Sequence, residues 1–339
     1  MKRKICFTGP MRVTIAEDIL RRAGCELVLG KPQDDFRTFR YDRKELIQLI
    51  GDCPIVYPSG RDVIGGDILD SCPELQAVVK SSIGIETVDV EAATDLGILC
   101  CNSPTPENYL GVAEATVGLI VGLFKRLKLN EEFFRNGGWK ELRNRGSLMI
   151  GKTVGIVGVG RIGQNVAQRL AGWGMNLVGY DPYVKQETVT HLDVTLLPLD
   201  ELLRQADVVT LHVVLTRETR GMIGMRELKL MKPTAFIVNT SRGQAIKEND
   251  LVEALNNQTI AGAALDVFEE EPMPKDNLLR QVDPTRLILT PHNIGANPGS
   301  GEAGQKMAAE SMLAILDGKI PDTVVNPLAI PRWKERFCS

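Results

Sequence analysis

Histidine is the side chain most often used for proton transfer near neutral pH, and this 339-residue chain contains three. His191 lies among polar residues with no strand pattern beside it, which favours a surface position. His212 ends the apolar run VTLH, where it can line a ligand cleft or be a hydrogen-bonded structural residue. His292 follows the run RLILTP and opens a glycine-rich loop. Open α/β sheets bind ligands outside the carboxyl ends of their strands, so His292 is the candidate acid–base residue.

Two further apolar runs end in charged residues that can assist a histidine. NTSRG follows one of them and brings Arg242 to the end of a strand, where a guanidinium can hold a carboxylate and polarise a carbonyl. The alternative for Arg242 is a helix cap or a surface position. AALDVFEEEP ends the other run with glutamates at 269–271. A carboxylate that touches the histidine would raise its pKa, but strand geometry alone does not choose among the three acids. Glu271 is favoured only because the residue before a proline is held extended.

A glycine-rich segment, TVGIVGVGRIGQNVAQRL, has the spacing Gly158-x-Gly160-x-x-Gly163 between an apolar strand and an amphipathic helix. The glycines allow a tight turn, close approach of the backbone to a pyrophosphate, and close helix–strand packing. The helix N-terminus offers N–H groups and a partial positive charge to phosphates. Asp181 ends the next strand, NLVGYD, where an acid can bind ribose hydroxyls and repel a 2′-phosphate. An acid in a turn before a proline is the alternative. The pattern predicts a dinucleotide site that favours NAD over NADP.

Two series of short apolar runs would position these residues. The first series is KICFT, ELVL, PIVY, LQAVVK and GILCC, with candidate helices between them at 13–23, 42–51 and 88–96. The second series is TVGIVGVG, NLVGYD, DVVTLHV, AFIVNTS, IAGAALDV and RLILTPH. Strands that alternate with helices are typical of parallel sheets covered on both faces. The sequence therefore predicts the α/β class, with two doubly wound, Rossmann-like parallel-sheet domains and a cleft between them.

The domain boundaries follow from breaks in this rhythm. CCNSPTPENYLG interrupts the first series and places a boundary near residue 103. The helical segment 302–317 cannot bury its apolar face alone, so we expect it to pack on the first domain. The sequence thus predicts a discontinuous, flavodoxin-like substrate domain over 1–103 plus 296–330 and an NAD-binding Rossmann domain over 104–295. PRWKERFCS, residues 331–339, is predicted to be a tail.

Composition excludes several other classes of protein. A hydrophobic content of 43% and a formal net charge of −3 give no reason to expect nucleic acid or an anionic membrane as a partner. The longest apolar run, ATVGLIVGLF, falls short of the ~18 residues of a membrane span, and no apolar segment follows the basic N-terminus as in a signal peptide. The 7 cysteines show no metal-binding spacing, which indicates reduced thiols in a cytoplasmic protein without a metal site.

In combination, these motifs resemble the D-isomer-specific 2-hydroxy-acid dehydrogenases over nearly the whole chain. GVGRIG, the acid of YDP, LHVVLTRETRGMI, VNTSRGQAI, AGAALDVFEEEP and TPHNIGA match that family in order and roughly in spacing. The resemblance implies that the catalytic set is Arg242, Glu271 and His292, with Glu271 as the partner of the histidine and Glu269 and Glu270 solvated. Formate dehydrogenases of this family carry glutamine at the glutamate position, so Glu271 argues against that activity.

The resemblance also implies residues on the cofactor side and on the substrate side. The cofactor would be NAD, bound by Gly158, Gly160, Arg161, Ile162, Gly163, Asp181, Val213, Thr219, Thr240, Ser241, Arg242, Asp266, His292 and Gly295, with Ile83 nearby. The substrate carboxylate would meet Arg242 and the backbone of a loop formed by Ser82, Ile83 and Gly84.

Three positions bear on the substrate. Val214 stands where the family usually has proline, which is a mild change. Ser82 replaces the first glycine of the usual GxG substrate loop, which narrows the space for the substrate at that loop. Lys80 stands where phosphoglycerate dehydrogenases have an arginine. We hypothesise that Lys80 reaches a second anionic group on the substrate, such as a phosphate. The alternative is a solvated lysine at a strand end.

The implied activity is hydride transfer between NAD and a D-2-hydroxy acid or 2-oxo acid, with 3-phosphoglycerate-like and hydroxypyruvate- or glyoxylate-like substrates both open. His292 would donate the proton during reduction. Family members are usually homodimers, to which the helical stretch after Pro106 would contribute. An NAD(H)-sensing corepressor or scaffold on the same fold, and a phosphite-type anion dehydrogenase, are the alternatives.

Overall fold

The computed structural model describes residues 3–9, 15–31, 41–60 and 62–338. The chain forms two compact units. The first comprises Met1–Asn108 and Asn297–Ser339, and the second comprises Tyr109–Ala296. Each unit contains one parallel sheet, with helices between successive strands. The predicted α/β class with two Rossmann-like parallel sheets is confirmed.

The first unit is built on a five-stranded sheet in the order β2-β1-β3-β4-β5. Its central strands are buried on both faces, which is why they read as uninterrupted apolar runs. The predicted helix over 13–23 falls partly outside the described residues, and its described part is α1. The elements up to β5 are β1 Lys4–Phe7, α1 Ile15–Arg22, β2 Glu26–Leu29, α2 Arg43–Ile50, β3 Ile55–Tyr57, α3 Gly66–Asp70, β4 Ala77–Val79, α4 Val90–Leu96 and β5 Leu99–Cys101.

A long C-terminal helix, α12 (Pro298–Leu316), completes the core of the first unit. Its Ala308, Met312 and Ile315 are fully buried in one cluster with Ile5 and Phe7 of the first strand. The helix therefore covers one face of the sheet. Side chains from the far end of the sequence close the core that the N-terminal strands begin.

The segment predicted as a tail, residues 331–339, is instead largely helical. Helix α13 runs from Ile330 to Phe337 and buries Trp333 completely in the core of the first unit. Arg336 donates hydrogen bonds to the carbonyl oxygens of Pro73 and of Leu96, the latter at the end of α4 where carbonyls lack partners within the helix. The charged residues of PRWKERFCS are typical of a solvated segment, which is why the sequence predicts a tail. The sequence does not show that its tryptophan and arginines have partners elsewhere in the fold.

The second unit contains a seven-stranded parallel sheet in the order β12-β11-β10-β9-β6-β7-β8. Its strand β8 was not predicted, because this three-residue edge strand is only partly buried. The elements are α5 Pro106–Lys125, α6 Leu127–Arg135, β6 Thr153–Val157, α7 Arg161–Leu170, β7 Asn176–Tyr180, α8 Gln186–Val189, β8 Val194–Leu196, α9 Leu199–Gln205, β9 Val208–Leu211, α10 Met225–Leu230, β10 Phe236–Asn239, α11 Glu248–Asn256, β11 Gly262–Leu265 and β12 Leu287–Leu289.

The strand order of this sheet reverses between β6 and β9. The chain builds β7 and β8 on one side of β6 and the remaining strands on the other. In doubly wound sheets this topological switch point is where a ligand binds, outside the carboxyl ends of the strands. The fold thus directs attention to the loops that follow β6, β9, β10, β11 and β12.

Two general features of the described residues accompany this fold. No helix among them is both long and apolar enough to cross a membrane, and no cluster of three or more His, Cys, Asp and Glu side chains has the arrangement of a metal site. Six of the cysteines are buried as free thiols, and Cys338 is exposed.

Candidate active site

The glycine-rich loop after β6 has the geometry that a bound pyrophosphate requires. Gly158 has φ of 91°, and a Cβ at this position would lie 2.7 Å from the carbonyl carbon of His212. A Cβ on Gly163 would lie 2.2 Å from the carbonyl oxygen of Gly158, so the helix packs against the strand only because no side chain intervenes. Gly160 stands at the N-terminus of α7 and faces open space, since a Cβ on it would have no neighbour within 4 Å. The residues present therefore fit an approaching dinucleotide phosphate.

Asp181 lies at the end of β7 and braces the same loop. One carboxylate oxygen accepts a hydrogen bond from the Val159 N–H at 2.9 Å, and the other accepts one from the Tyr183 N–H, also at 2.9 Å. An ionised carboxylate has about four lone-pair sites, so both oxygens can still accept hydrogen bonds from ribose hydroxyls. Asp181 can thus hold the loop and a nucleotide sugar at once.

The other expected cofactor residues lie in the loops at this edge or in the first turn of α7, and several have side chains that bind within the protein. The Thr240 hydroxyl meets that of Thr116 at 2.9 Å, the Ser241 hydroxyl donates to Asn239, and the Thr219 hydroxyl donates to the Val214 carbonyl. These hydroxyls shape the loops. Of the remaining positions, Arg161 is exposed, Ile162 and Val213 are half-buried, and Gly295 packs closely against Val112.

The structure brings Glu271 and His292 together. The Nδ1 atom of His292 lies 2.6 Å from Oε2 of Glu271, whose side chain is 34% exposed. The neighbouring Glu269 and Glu270 are exposed as well. The hydrogen bond to Glu271 raises the pKa of His292 above its ordinary value, burial opposes this, and the charge of Asp266 adds to the increase. The charge of Arg242 acts in the opposite direction. His292 therefore remains protonated to a higher pH than a free histidine.

The carboxylate of Glu271 is held in its ionised form. Burial alone would raise the pKa of Glu271, but this effect is outweighed and the pKa is lowered. The lowering comes from the hydrogen bond and charge of His292, from the Phe268 N–H at 3.0 Å from Oε1, and from the charge of Arg242. The peptide bond between Glu271 and Pro272 is cis. With Oε1 bound to its own turn and Oε2 bound to the imidazole, Glu271 fixes the ring by Nδ1 and leaves Nε2 for a substrate.

His292 is presented by a loop that Asp266 ties to the sheet. The carboxylate of Asp266, at the end of β11, accepts from the Thr290 hydroxyl at 2.6 Å and from the N–H groups of Asn293 and Ile294 at 3.2 and 3.3 Å. His292 itself has φ of 53°, a conformation that is uncommon for a residue with a side chain and occurs at functional sites. Sequence reasoning missed Thr290, although its place at the end of the strand beside β11 was a usable signal.

Arg242 follows β10 in a loop organised by Asn239. The Asn239 side chain donates to the Arg242 carbonyl at 2.9 Å and accepts from the Ser241 N–H at 3.0 Å. The guanidinium donates to the carbonyl of Ser241 at 2.6 Å, and its charge acts on both His292 and Glu271. The arginine, the glutamate and the histidine thus come from three adjacent parallel strands, β10, β11 and β12, whose carboxyl ends meet at one edge.

The other two histidines are in different environments. His191 is exposed. Burial lowers the pKa of His212 to about 3, and its Nε2 lies 3.0 Å from the Thr210 hydroxyl. A histidine that stays neutral throughout the physiological range is a poor proton donor. Of the three, His292 alone is paired with a carboxylate through a hydrogen bond in the described structure.

The expected substrate residues Lys80, Ser82, Ile83 and Gly84 belong to the first unit. Lys80 is only 5% exposed, and its Nζ donates to the Thr87 hydroxyl at 2.7 Å, so the alternative of a solvated lysine is wrong. The loop over residues 80–84 is held by two side chains that directly follow β5. The Ser103 hydroxyl donates to the Lys80 carbonyl and the Asn102 amide donates to the Ile83 carbonyl, both at 2.8 Å.

Comparison with known proteins now decides the family. Residues 117–293 match the model of the NAD-binding domain of D-isomer specific 2-hydroxyacid dehydrogenases. The chain belongs to this family. The prediction of an NAD-dependent oxidoreductase of this family is thereby confirmed.

Relatives and solved structures agree with the family. A glyoxylate reductase of Thermococcus gammatolerans is 38% identical over 302 residues, which are 87% of this chain and 89% of that protein. A D-3-phosphoglycerate dehydrogenase of Methanocaldococcus jannaschii is 38% identical over 293 residues, which are 86% of this chain but 55% of that protein, so the chain spans little more than half its length. D-lactate dehydrogenase of Aquifex aeolicus, solved with NAD and lactic acid, has a TM-score of 0.84 at 26% identity and covers 95% of this chain and 99% of its own.

Proposed function

We propose that this member of the family interconverts a 2-oxo acid and a D-2-hydroxy acid, with His292 as general acid and base. The single observation that carries the proposal is the 2.6 Å contact between Nδ1 of His292 and the ionised Glu271. Bound NADH would supply the hydride that reduces the carbonyl carbon. Residues Gly158, Gly160, Gly163 and Asp181 would hold it, and the remaining loop residues at this sheet edge would line the same site.

Proton transfer would proceed from Nε2 of His292. Glu271 keeps Nδ1 occupied and stabilises the imidazolium, so that the ring donates its other proton to the forming hydroxyl in the reducing direction. In the oxidising direction the neutral imidazole takes that proton back. Arg242 would bind the substrate carboxylate and polarise the neighbouring carbonyl, a task for which its fixed fork of N–H groups is suited.

The loop Ser82–Gly84 would contribute backbone N–H groups to the carboxylate, and Lys80 would neutralise a second anionic group. Lys80 precedes this loop by two residues, which supports a substrate that carries phosphate or a similar group. The similarity to the Methanocaldococcus phosphoglycerate dehydrogenase supports this class, and the similarity to the Thermococcus glyoxylate reductase supports smaller acids.

Turnover with a panel of 2-oxo acids tests the proposal. Glyoxylate, hydroxypyruvate and phosphohydroxypyruvate are each offered with NADH and with NADPH, and cofactor oxidation is followed. Reduction of at least one acid with NADH is expected. NADH binding without reduction of any member of the panel would contradict the proposal and favour a corepressor or scaffold, whereas turnover with phosphite and NAD would indicate an anion dehydrogenase.

The role of Lys80 has its own test. Lys80→Ala is expected to lose far more activity on phosphohydroxypyruvate than on hydroxypyruvate, because these substrates differ by the phosphate alone. An equal loss on both substrates would remove Lys80 from the substrate site.

Association of two copies is also part of the proposal. The helix α6 and the segment that follows it expose large apolar side chains, including Phe134 at 62% and Trp139 at 72%. An exposed apolar patch of this kind marks an interaction surface. We expect a homodimer, which light scattering of the purified protein would detect.

The buried free thiols support a cytoplasmic location, where such thiols stay reduced.

A further inference from the structure

The turn that carries Glu271 is held by the segment that follows β10, far from it in sequence. A Cβ on Gly243 would lie 1.9 Å from the carbonyl carbon of Phe268, so the two backbones are in direct contact. The backbone N–H and carbonyl of Glu269 both form hydrogen bonds with side chains of the segment that follows β10. Its N–H donates to Oε2 of Glu248 at 3.1 Å, and its carbonyl accepts from Nε2 of Gln244 at 2.8 Å.

Glu248 also holds the chain on the far side of the turn. Its Oε1 accepts a hydrogen bond from Nδ2 of Asn277 at 2.5 Å. Asn277 in turn accepts from the Leu279 N–H at 2.8 Å, at the start of a short 3₁₀ helix. A single carboxylate on the first residue of α11 is therefore attached to both flanks of Glu271.

This attachment sets the position of a contact that tolerates little movement. The carboxylate of Glu271 is bound to Phe268 and His292 at 3.0 and 2.6 Å, and hydrogen bonds weaken steeply as distance and angle depart from these values. A misplacement of about 1 Å in an active site can cost ~10²-fold in rate.

We propose that Gln244 and Glu248 are positioning residues of the dehydrogenase, which hold the turn over 268–271 so that Glu271 meets His292. This inference rests on the proposed function of that pair. The segment after β10 then has two tasks, since it presents Arg242 toward the substrate and fixes the partner of the catalytic histidine.

The pH dependence separates this role from a general contribution to folding. Three charged groups act on His292, namely Glu271, Asp266 and Arg242, and only Glu271 lies on the turn. Loosening the turn would remove the effect of Glu271 and leave the other two. The pKa of His292 would then fall, and reduction would lose its proton donor at a lower pH than in the parent.

The experiment compares Glu248→Ala and Gln244→Ala with the parent. Glu248→Gln keeps an acceptor for the Glu269 N–H, and Glu253→Ala removes an exposed acid from the same helix. The pH profile of kcat for reduction is measured with the best 2-oxo acid of the panel, together with KM for NADH and the unfolding temperature. We expect both alanine variants to lose about tenfold in kcat above neutral pH and to shift the profile to lower pH, with KM for NADH unchanged. Glu253→Ala should match the parent, and Glu248→Gln should lie near it.

Two results would overturn the inference. The first is an unchanged pH profile in folded Glu248→Ala and Gln244→Ala, and the second is a uniform loss of kcat at every pH. Glu271→Gln distinguishes this failure from that of the proposed function, because an unshifted profile in Glu271→Gln means that the pair itself is not the proton donor. If Glu248→Ala does not fold, Gln244→Ala, which removes one donor from a half-buried position, decides the matter.

Discussion

Replacement of Glu271 by glutamine tests whether its charge controls the protonation of His292. The substitution removes the negative charge and leaves the size of the side chain unchanged. In the parent, Oε1 accepts from the Phe268 N–H and Oε2 meets Nδ1 of His292. A glutamine can keep only one of these contacts with an oxygen and must turn its NH₂ group toward the other. The imidazolium therefore exchanges a charged partner for a neutral one.

The magnitude follows from the two kinds of hydrogen bond. A bond to a charged group contributes ~1.5–3 kcal/mol and a neutral one ~0.5–1.5 kcal/mol. The imidazole is half exposed, at 51%, so solvent screening reduces the difference to about 1 kcal/mol. Because 1.36 kcal/mol corresponds to a factor of ten, we expect about fivefold less of the protonated enzyme at pH values above the pKa.

The sign of the pH effect is fixed by the structure. Glu271 raises the pKa of His292, so the protonated form is present in both enzymes below the ordinary histidine pKa and persists to higher pH only in the parent. For reduction, kcat/KM of Glu271→Gln should approach that of the parent near pH 5.5 and fall below it through the neutral and weakly alkaline range.

The assay is the initial rate of NADH oxidation across this pH range, with the 2-oxo acid varied from well below KM upward so that kcat/KM is obtained at each pH. Glu270→Gln is the matched control, because the same chemical change is made one residue away on an exposed side chain. It should reproduce the parent profile. If Glu271→Gln and Glu270→Gln give the same profile, Glu271 does not govern the protonation of His292 and our reasoning is wrong.

Three further predictions concern the cofactor loop and the core. Gly163→Ala places a Cβ 2.2 Å from the Gly158 carbonyl oxygen, so we expect at least a tenfold weaker NADH affinity by fluorescence titration, whereas Gly118→Ala, with no neighbour within 4 Å, should leave it unchanged. Asp181→Asn keeps a hydrogen-bond acceptor but removes the charge that repels a 2′-phosphate, so the ratio of kcat/KM for NADPH to that for NADH should rise, and an unaltered ratio would show that another group sets the preference. Trp333→Ala should lower the free energy of unfolding by about 3–5 kcal/mol in urea titrations because the indole is 0% exposed, and a loss below about 1 kcal/mol would contradict its place in the core.

Much of the site could be predicted because its signals are local. His292 and Arg242 each follow an apolar run, and the glycines of the nucleotide loop lie within six residues of one another at 158–163. In a parallel sheet every such run ends at the same edge, so residues distant in sequence can be grouped before any contact is known. The same argument could not place Lys80, whose burial depends on the packing around the 80–84 loop.

The C-terminal segment shows the limit of local signals most clearly. PRWKERFCS has the composition of a solvated tail, yet Trp333 fills the core of the first unit, and Arg336 binds carbonyl oxygens near residues 73 and 96. A pattern of charges reports what a helix can expose. The pattern does not show which carbonyl groups, distant in sequence, accept hydrogen bonds from its arginines in the folded protein.

The sequence by itself determined the two parallel sheets, the dinucleotide loop and the strand ends from which an arginine, an acid and a histidine emerge, because alternation of strands and helices and the spacing of glycines are properties of short segments. Strand geometry left three consecutive acids open and the family resemblance implied Glu271, whereas the contact of Glu271 with His292 exists only in the tertiary structure. That contact depends on the course of the turn after β11, which is set by the contact of Gly243 with Phe268 and by the hydrogen bonds of Gln244 and Glu248 to Glu269. These contacts join segments more than twenty residues apart, and only packing brings them together.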